Sequence, residues 1–261
     1  MSSTKQWFED EEENRREAWI RARLSDPDLE EDSDEWQELE EEYDNYKDFM
    51  EDMAREEYEE QQWLKNNPHT DIYDSSISLL DKILDEGKVH TSETFYKMQI
   101  AYCVTIMESC LGDMIKSIVL SDKRYRNYAV YQIDHLRKKE IDLVYLIKEE
   151  DIVSKSVQEY LTGITYHDIP IVERTYRSIL QIKKYKNIDT TKVDALTTLR
   201  HDIVHRNGKT REGNDSIKFD YNAVLEAFDT TKIFLTEMKD MISAAIKYHE
   251  EKQMNQDLGD N

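Results

Sequence analysis

Arg200 and His205 are separated by four residues, and polar His201 and Asp202 follow the arginine directly. Arg206, Asn207, Lys209 and Arg211 come next, around Gly208. No other stretch of the chain gathers as many groups able to handle a phosphate and a proton. An imidazole can act as general base or acid near neutral pH. A guanidinium keeps its charge, and its planar fork fits two phosphate oxygens. Together they could cleave RNA. The imidazole would take the 2′-hydroxyl proton or protonate the leaving 5′-oxygen. The guanidinium would stabilise the charge that grows at phosphorus. The nucleophile is already part of the substrate, so no metal or other cofactor is expected. Arg200 and His205 are the candidate catalytic pair, with His201 and Asp202 supporting them. Arg206, Asn207, Lys209 and Arg211 are candidate RNA contacts.

Helix geometry constrains this reading. Five steps of about 100° place Arg200 and His205 about 140° apart around an ideal helix, so they do not share a face. Two arrangements would bring them together. Asn207-Gly208 could unwind the last turn, since both residues tolerate a left-handed conformation. Alternatively, two copies of the helix meet at a twofold axis and pool their groups, which predicts a catalytic homodimer. A zinc-protease reading of His201 and His205, one turn apart, is weaker. Asp202 is shorter than the usual glutamate, and the next histidine along the chain is His249. An HD-type phosphohydrolase reading of His201-Asp202 needs further ligands whose arrangement is not evident.

The stretch Arg200-His201-Asp202-Ile203-Val204-His205 resembles the signature of the HEPN superfamily, an Arg followed after four to six residues by a His. The extension through Thr210 resembles many bacterial members. Thr105-Ile106-Met107-Glu108-Ser109-Cys110-Leu111 resembles that family's first long helix. The resemblance covers about Tyr73 to His249 and omits the acidic N-terminus. It implies an all-α bundle, a homodimer and metal-independent endoribonuclease activity, with Arg200 and His205 as the catalytic pair and His201 at the polar position. Ribonucleases of this family often act as toxins or in defence against phage. Other members are silent modules, so the alternative expectation is a dimerising scaffold that docks a partner, such as an antitoxin, through residues 1–67.

The elements that must position these residues read as helices. Residues 5–24 form one, broken at Ser25-Asp26-Pro27-Asp28. Asp32 or Ser33 caps the next, with Glu35 placed for a capping box from Asp32. Trp36, Leu39, Tyr43, Tyr46, Met50 and Met53 make a heptad-like seam along it. Asn66-Asn67-Pro68 marks a boundary. Ile77, Leu80, Ile83 and Leu84 line a helix that Gly87 ends. A long central helix over 92–121 buries Phe95, Met98, Val104, Met107, Leu111, Met114, Ile115 and Ile118. Shorter helices fill 126–165, with Ile141, Leu143, Val144, Leu146 and Ile147 as their apolar group. Pro170 lies near the start of a helix over 169–184. Thr190 or Thr191 caps the helix that carries the motif, whose inward face is Val193, Leu196, Leu199, Ile203 and Val204. A loop, with a hairpin near Gly213-Asn214, leads to a last helix over 221–250, with Leu225, Phe228, Ile233, Phe234, Met238, Met241 and Ile242 inward. The expected fold is all-α: an acidic amphipathic segment (1–67), a HEPN-like helical bundle (68–250) and a flexible polar tail (251–261).

Charge is unevenly placed along the 261 residues. The net is −22 overall, with eight Lys and Arg against 25 Asp and Glu in residues 1–70. Such a chain is a poor general binder of nucleic acid, so RNA needs a local basic patch. The clusters 123–126, 137–139 and 183–186 are candidates for one, although such runs are more often solvated faces. Cys103 and Cys110 lie about 10 Å apart along one helix, too far for a disulfide. A reducing, cytoplasmic setting is expected. The opening residues lack an apolar signal core, and no run suggests a membrane span.

Overall fold

A computed structural model describes residues 3–26, 28–142, 146, 151–182, 185–209 and 219–259. Among them the regular elements are all helices. They are α1 (Ser3–Arg21), α2 (Asp34–Asn66), α3 (His69–Gly87), α4 (Glu93–Ser121), α5 (Lys123–Gln132), α6 (Asp134–Arg137), α7 (Ile152–Thr162), α8 (Ile169–Leu180), α9 (Thr191–Arg206) and α10 (Tyr221–Gly259). The chain divides into two compact units, Met1–Gln62 and Trp63–Asn261.

The first unit is a two-helix pair. Arg16 meets Glu40 at 2.7 Å and Lys47 meets Glu12 at 2.8 Å, so α1 and α2 run antiparallel. Ile20, Leu24 and Trp36 form a small core. Ser33 is the cap of α2, accepting from the Trp36 amide at 3.3 Å. The expected capping box does not close. Glu35 instead accepts from the Ser25 amide and hydroxyl, both at 2.7 Å, and fastens the preceding turn. The seam packs only in its first half. Trp36 and Tyr43 are buried, whereas Tyr46, Met50 and Met53 are about half exposed. Two helices share one seam, and its second half stays exposed.

The second unit is organised on α4, which packs against α3, α10, α5, α9 and α7. Ser92 caps α4 by accepting from the Phe95 amide at 3.3 Å. Every residue from Met114 to Leu120 is buried. Burial of this apolar surface is the main stabilising term, at about 25 cal/mol per Å². Phe228, Phe234, Met238, Met241 and Ile242 of α10 are buried as expected. The buried Tyr176 hydroxyl donates to the Leu111 carbonyl at 2.6 Å, and burial raises the phenol's pKa well above its ordinary value.

Several expectations are corrected. Met98 and Ile233 carry the right helical spacing but are 61% and 62% exposed. Ile141 and Leu146 are exposed too, while Leu143, Val144 and Ile147 lie outside the described residues. Helix α8 ends at Leu180 because Gln181 turns left-handed, at φ 49°. The Thr190 side chain does not cap α9; the Asp189 carboxylate accepts from the Thr191 amide at 3.0 Å instead. The tail expected after residue 250 continues α10 to Gly259, because Glu251–Gln256 contains good helix formers. The hairpin near Gly213-Asn214 lies outside the described residues.

Candidate active site on helix α9

Val193 and Leu196 are buried and Leu199 and Ile203 half-buried, which fixes the rotation of α9. Val204, expected inward, is 51% exposed. At about 100° per residue it falls on the flank away from Leu199 and Ile203. The outward face consists of Ala195, Thr198, His201 and His205, all exposed. Half-exposed Asp194 lies on the same face, one turn before Thr198 and two turns before His201. The His201 and His205 rings lie 4.6 Å apart between centroids, inclined at 45°.

Helix α9 is regular through Arg206, so the last turn does not unwind beneath His205. Arg200 therefore stays on the edge of the packed face, about 140° around the axis from His205. One copy of the helix does not bring the pair together. Arg200 is half-buried, and its Nε–H is buried with no acceptor among the described residues. Such a donor left unmet costs about 1–3 kcal/mol.

The helix terminus is built firmly. Asn207 takes a left-handed conformation, at φ 55°, and Gly208 follows at φ 84°. The amides of Asn207 and Gly208 both point to the Asp202 carbonyl, that of Gly208 at 2.9 Å. A Cβ on Gly208 would stand 2.6 Å from the Phe219 ring and 3.0 Å from Lys97 Cε, so only glycine fits. Lys97 of α4 reaches across to donate to the Asn207 carbonyl at 3.0 Å. Its ammonium also meets Glu93 at 2.7 Å and lies 4.9 Å from the centre of the Phe219 ring. A cation at a helix C-terminus is favoured by the unsatisfied carbonyls there. Lys97 was invisible to sequence reading, because it stands 110 residues from its acceptor.

The remaining candidates divide. Asp202 is buried rather than facing outward, and it accepts from Arg206 at 2.6 Å. That pair commits the Arg206 charge to its own helix and weakens its case as an RNA contact. The Asn207 and Lys209 side chains are exposed beside the helix end. Arg211 lies outside the described residues.

The expected basic clusters are largely neutralised. Arg124 pairs with Asp122 at 2.7 Å and Arg126 with Asp151 at 3.3 Å. Arg137 and Lys138 meet Asp134, Lys139 meets Glu159, and Lys186 meets Glu237. Lys183 and Lys184 lie outside the described residues. Tyr125 is buried against Tyr128 and His249, so its ring cannot stack on a base. Burial pushes the Cys103 and Cys110 thiols up to about 12, which removes both as nucleophiles. Glu108 accepts from or is paired with His167 Nδ1 at 2.9 Å, on a different part of α4 from Lys97.

No helix among the described residues is long and apolar enough to cross a membrane. Among those residues, no cluster of three or more His, Cys, Asp or Glu is arranged to hold a metal ion. In comparisons with known proteins, no family model, no curated protein and no solved structure matches this chain.

Proposed function

We propose that the chain is a HEPN-type, metal-independent endoribonuclease, acting as a toxin or defence effector, whose site is completed by two copies. The observation that carries this reading is Arg200. In a chain with 57 acids, it sits half-buried with a donor unanswered, while its neighbour Arg206 is paired. The Nε–H has no acceptor among the described residues, so the guanidinium is not locked through it into an internal pair. The outward face supports the dimer. Ala195 and Thr198 are small enough for a second helix to approach closely. Each site takes Arg200 from one copy and His205 from the other, because one helix holds them on different sides.

In that site His205 accepts the 2′-hydroxyl proton, and the 2′-oxygen attacks phosphorus. The bond to the 5′-oxygen breaks, and that oxygen takes a proton from water. The products are a 2′,3′-cyclic phosphate and a 5′-hydroxyl. Arg200 stabilises the equatorial oxygens as charge grows on them.

The test is incubation of end-labelled tRNA, rRNA and mRNA with the purified chain in excess EDTA. The expected result is cleavage leaving cyclic phosphate ends. Absence of cleavage in EDTA, restored by a divalent metal, would contradict the mechanism. Silence under both conditions would contradict the enzyme reading.

A further inference from the structure

The exposed half of the α2 seam has a use of its own. Tyr46, Phe49, Met50 and Met53 recur at i, i+3, i+4 and i+7 and are 48%, 59%, 47% and 49% exposed. That is the spacing by which a helix anchors in an apolar partner surface. Large contiguous apolar patches with a polar rim are uncommon on soluble proteins and mark interaction sites. Here Tyr46 is steadied by stacking on Trp19, with ring centroids 6.1 Å apart. Among the described residues the other three make no such ring contact.

The rim identifies the occupant. Residues 1–62 hold seven Lys and Arg against 25 Asp and Glu, a net of −18. At about 100° per residue, Asp52 and Glu56 lie beside Phe49 and Met53 on one flank of the stripe, and Glu57 lies one turn beyond Met53. The two cations in this part of α2 are already engaged, Lys47 with Glu12 and Arg55 with Asp52, each at 2.8 Å. Asp52 is thus answered by Arg55, but the surrounding segment keeps a large excess of acids over cations. A second copy would bring two such surfaces together and be repelled. Nucleic acid and anionic lipid are repelled for the same reason. A surface that buries the stripe and also answers this charge must be apolar along one line and cationic beside it.

We infer that the Tyr46–Met53 face of α2 docks a cationic amphipathic helix of a partner protein. Phe49, Met50 and Met53 fill the partner's apolar groove, and lysines or arginines on its flanks meet the acids. The inference does not depend on the catalytic reading of α9.

The test uses the full chain and a synthetic amphipathic helical peptide of leucine and lysine. The control is a peptide of the same composition with its leucines and lysines scrambled. The variant Phe49→Gln, Met50→Gln, Met53→Gln keeps every charge and the helix propensity of α2. Calorimetric titration of the wild-type chain should show binding of the amphipathic peptide, preferred over the scrambled one. In the variant the dissociation constant should rise by about tenfold or more, about 1.4 kcal/mol. Circular dichroism checks that the variant's helix content is unchanged. Equal binding by wild type and variant would mean charge alone holds the peptide, and would overturn the inference. So would self-association of the wild-type chain that the variant abolishes. Wild-type binding to phosphatidylglycerol vesicles that the variant loses would overturn it as well.

Discussion

If the proposed site is right, changing His205 to alanine should lower RNA cleavage by about 10²–10⁴-fold, the range for loss of a general base. The fold survives the change. The imidazole is exposed, and its ring contact in the structure is with His201. The terminus of α9 is held by other groups: the left-handed Asn207, the confined Gly208 and the Lys97 ammonium. A surface substitution of this kind shifts stability by about 0.5 kcal/mol or less. Single-turnover cleavage and thermal unfolding, measured on the same preparation, separate the two effects. A variant that unfolds like wild type and cleaves like wild type removes His205 from the mechanism.

On the same proposal, changing Arg200 to alanine should lower cleavage by about 10²–10³-fold, the loss expected when a preorganised donor to the developing phosphate charge is removed. Its stability effect runs opposite to that of most half-buried arginines. No hydrogen bond from Nε is lost, and a buried donor without an acceptor disappears. The melting temperature should therefore stay within a few degrees of wild type or rise. Arg200→Lys should not restore the rate, because an ammonium is a point charge rather than a fork. Cleavage by Arg200→Lys at the wild-type rate would show that only the charge matters. Cleavage by Arg200→Ala at that rate would remove the residue from the site.

The helices were legible in the sequence because their signals are local. Ser92 before α4, Asn207-Gly208 after α9 and the apolar period of α4 depend only on near neighbours. What covers an apolar face is not local. Met98, Val204 and Ile233 keep helical spacing with residues that are buried, yet stand at the edges of the packed faces. The seam of α2 reads as one stripe, but only its Trp36–Tyr43 half meets a partner in its own unit. Helix ends without glycine were also hidden. Gln181 turns left-handed with no sequence cue, and α10 runs on through polar residues that favour helix.

The candidate site follows the same division. The separation of Arg200 from His205 around α9 is arithmetic on the sequence, and the regular helix through Arg206 retains it. The pairing of Arg206 with Asp202 has the spacing of a helical ion pair, one turn apart. It competes with the reading of Arg206 as an RNA contact. The role of Lys97 required the tertiary fold.

The most direct test of a site shared between two copies uses a mixed dimer. Arg200→Ala and His205→Ala chains are coexpressed with different tags, and the mixed species is isolated by tandem purification. If each site takes Arg200 from one copy and His205 from the other, the mixed dimer keeps one intact pair of the two. It should cleave RNA at about half the wild-type rate per dimer, while either parent variant alone is nearly inactive. A mixed dimer as inactive as its parents, or a chain that purifies only as a monomer, would contradict the shared site.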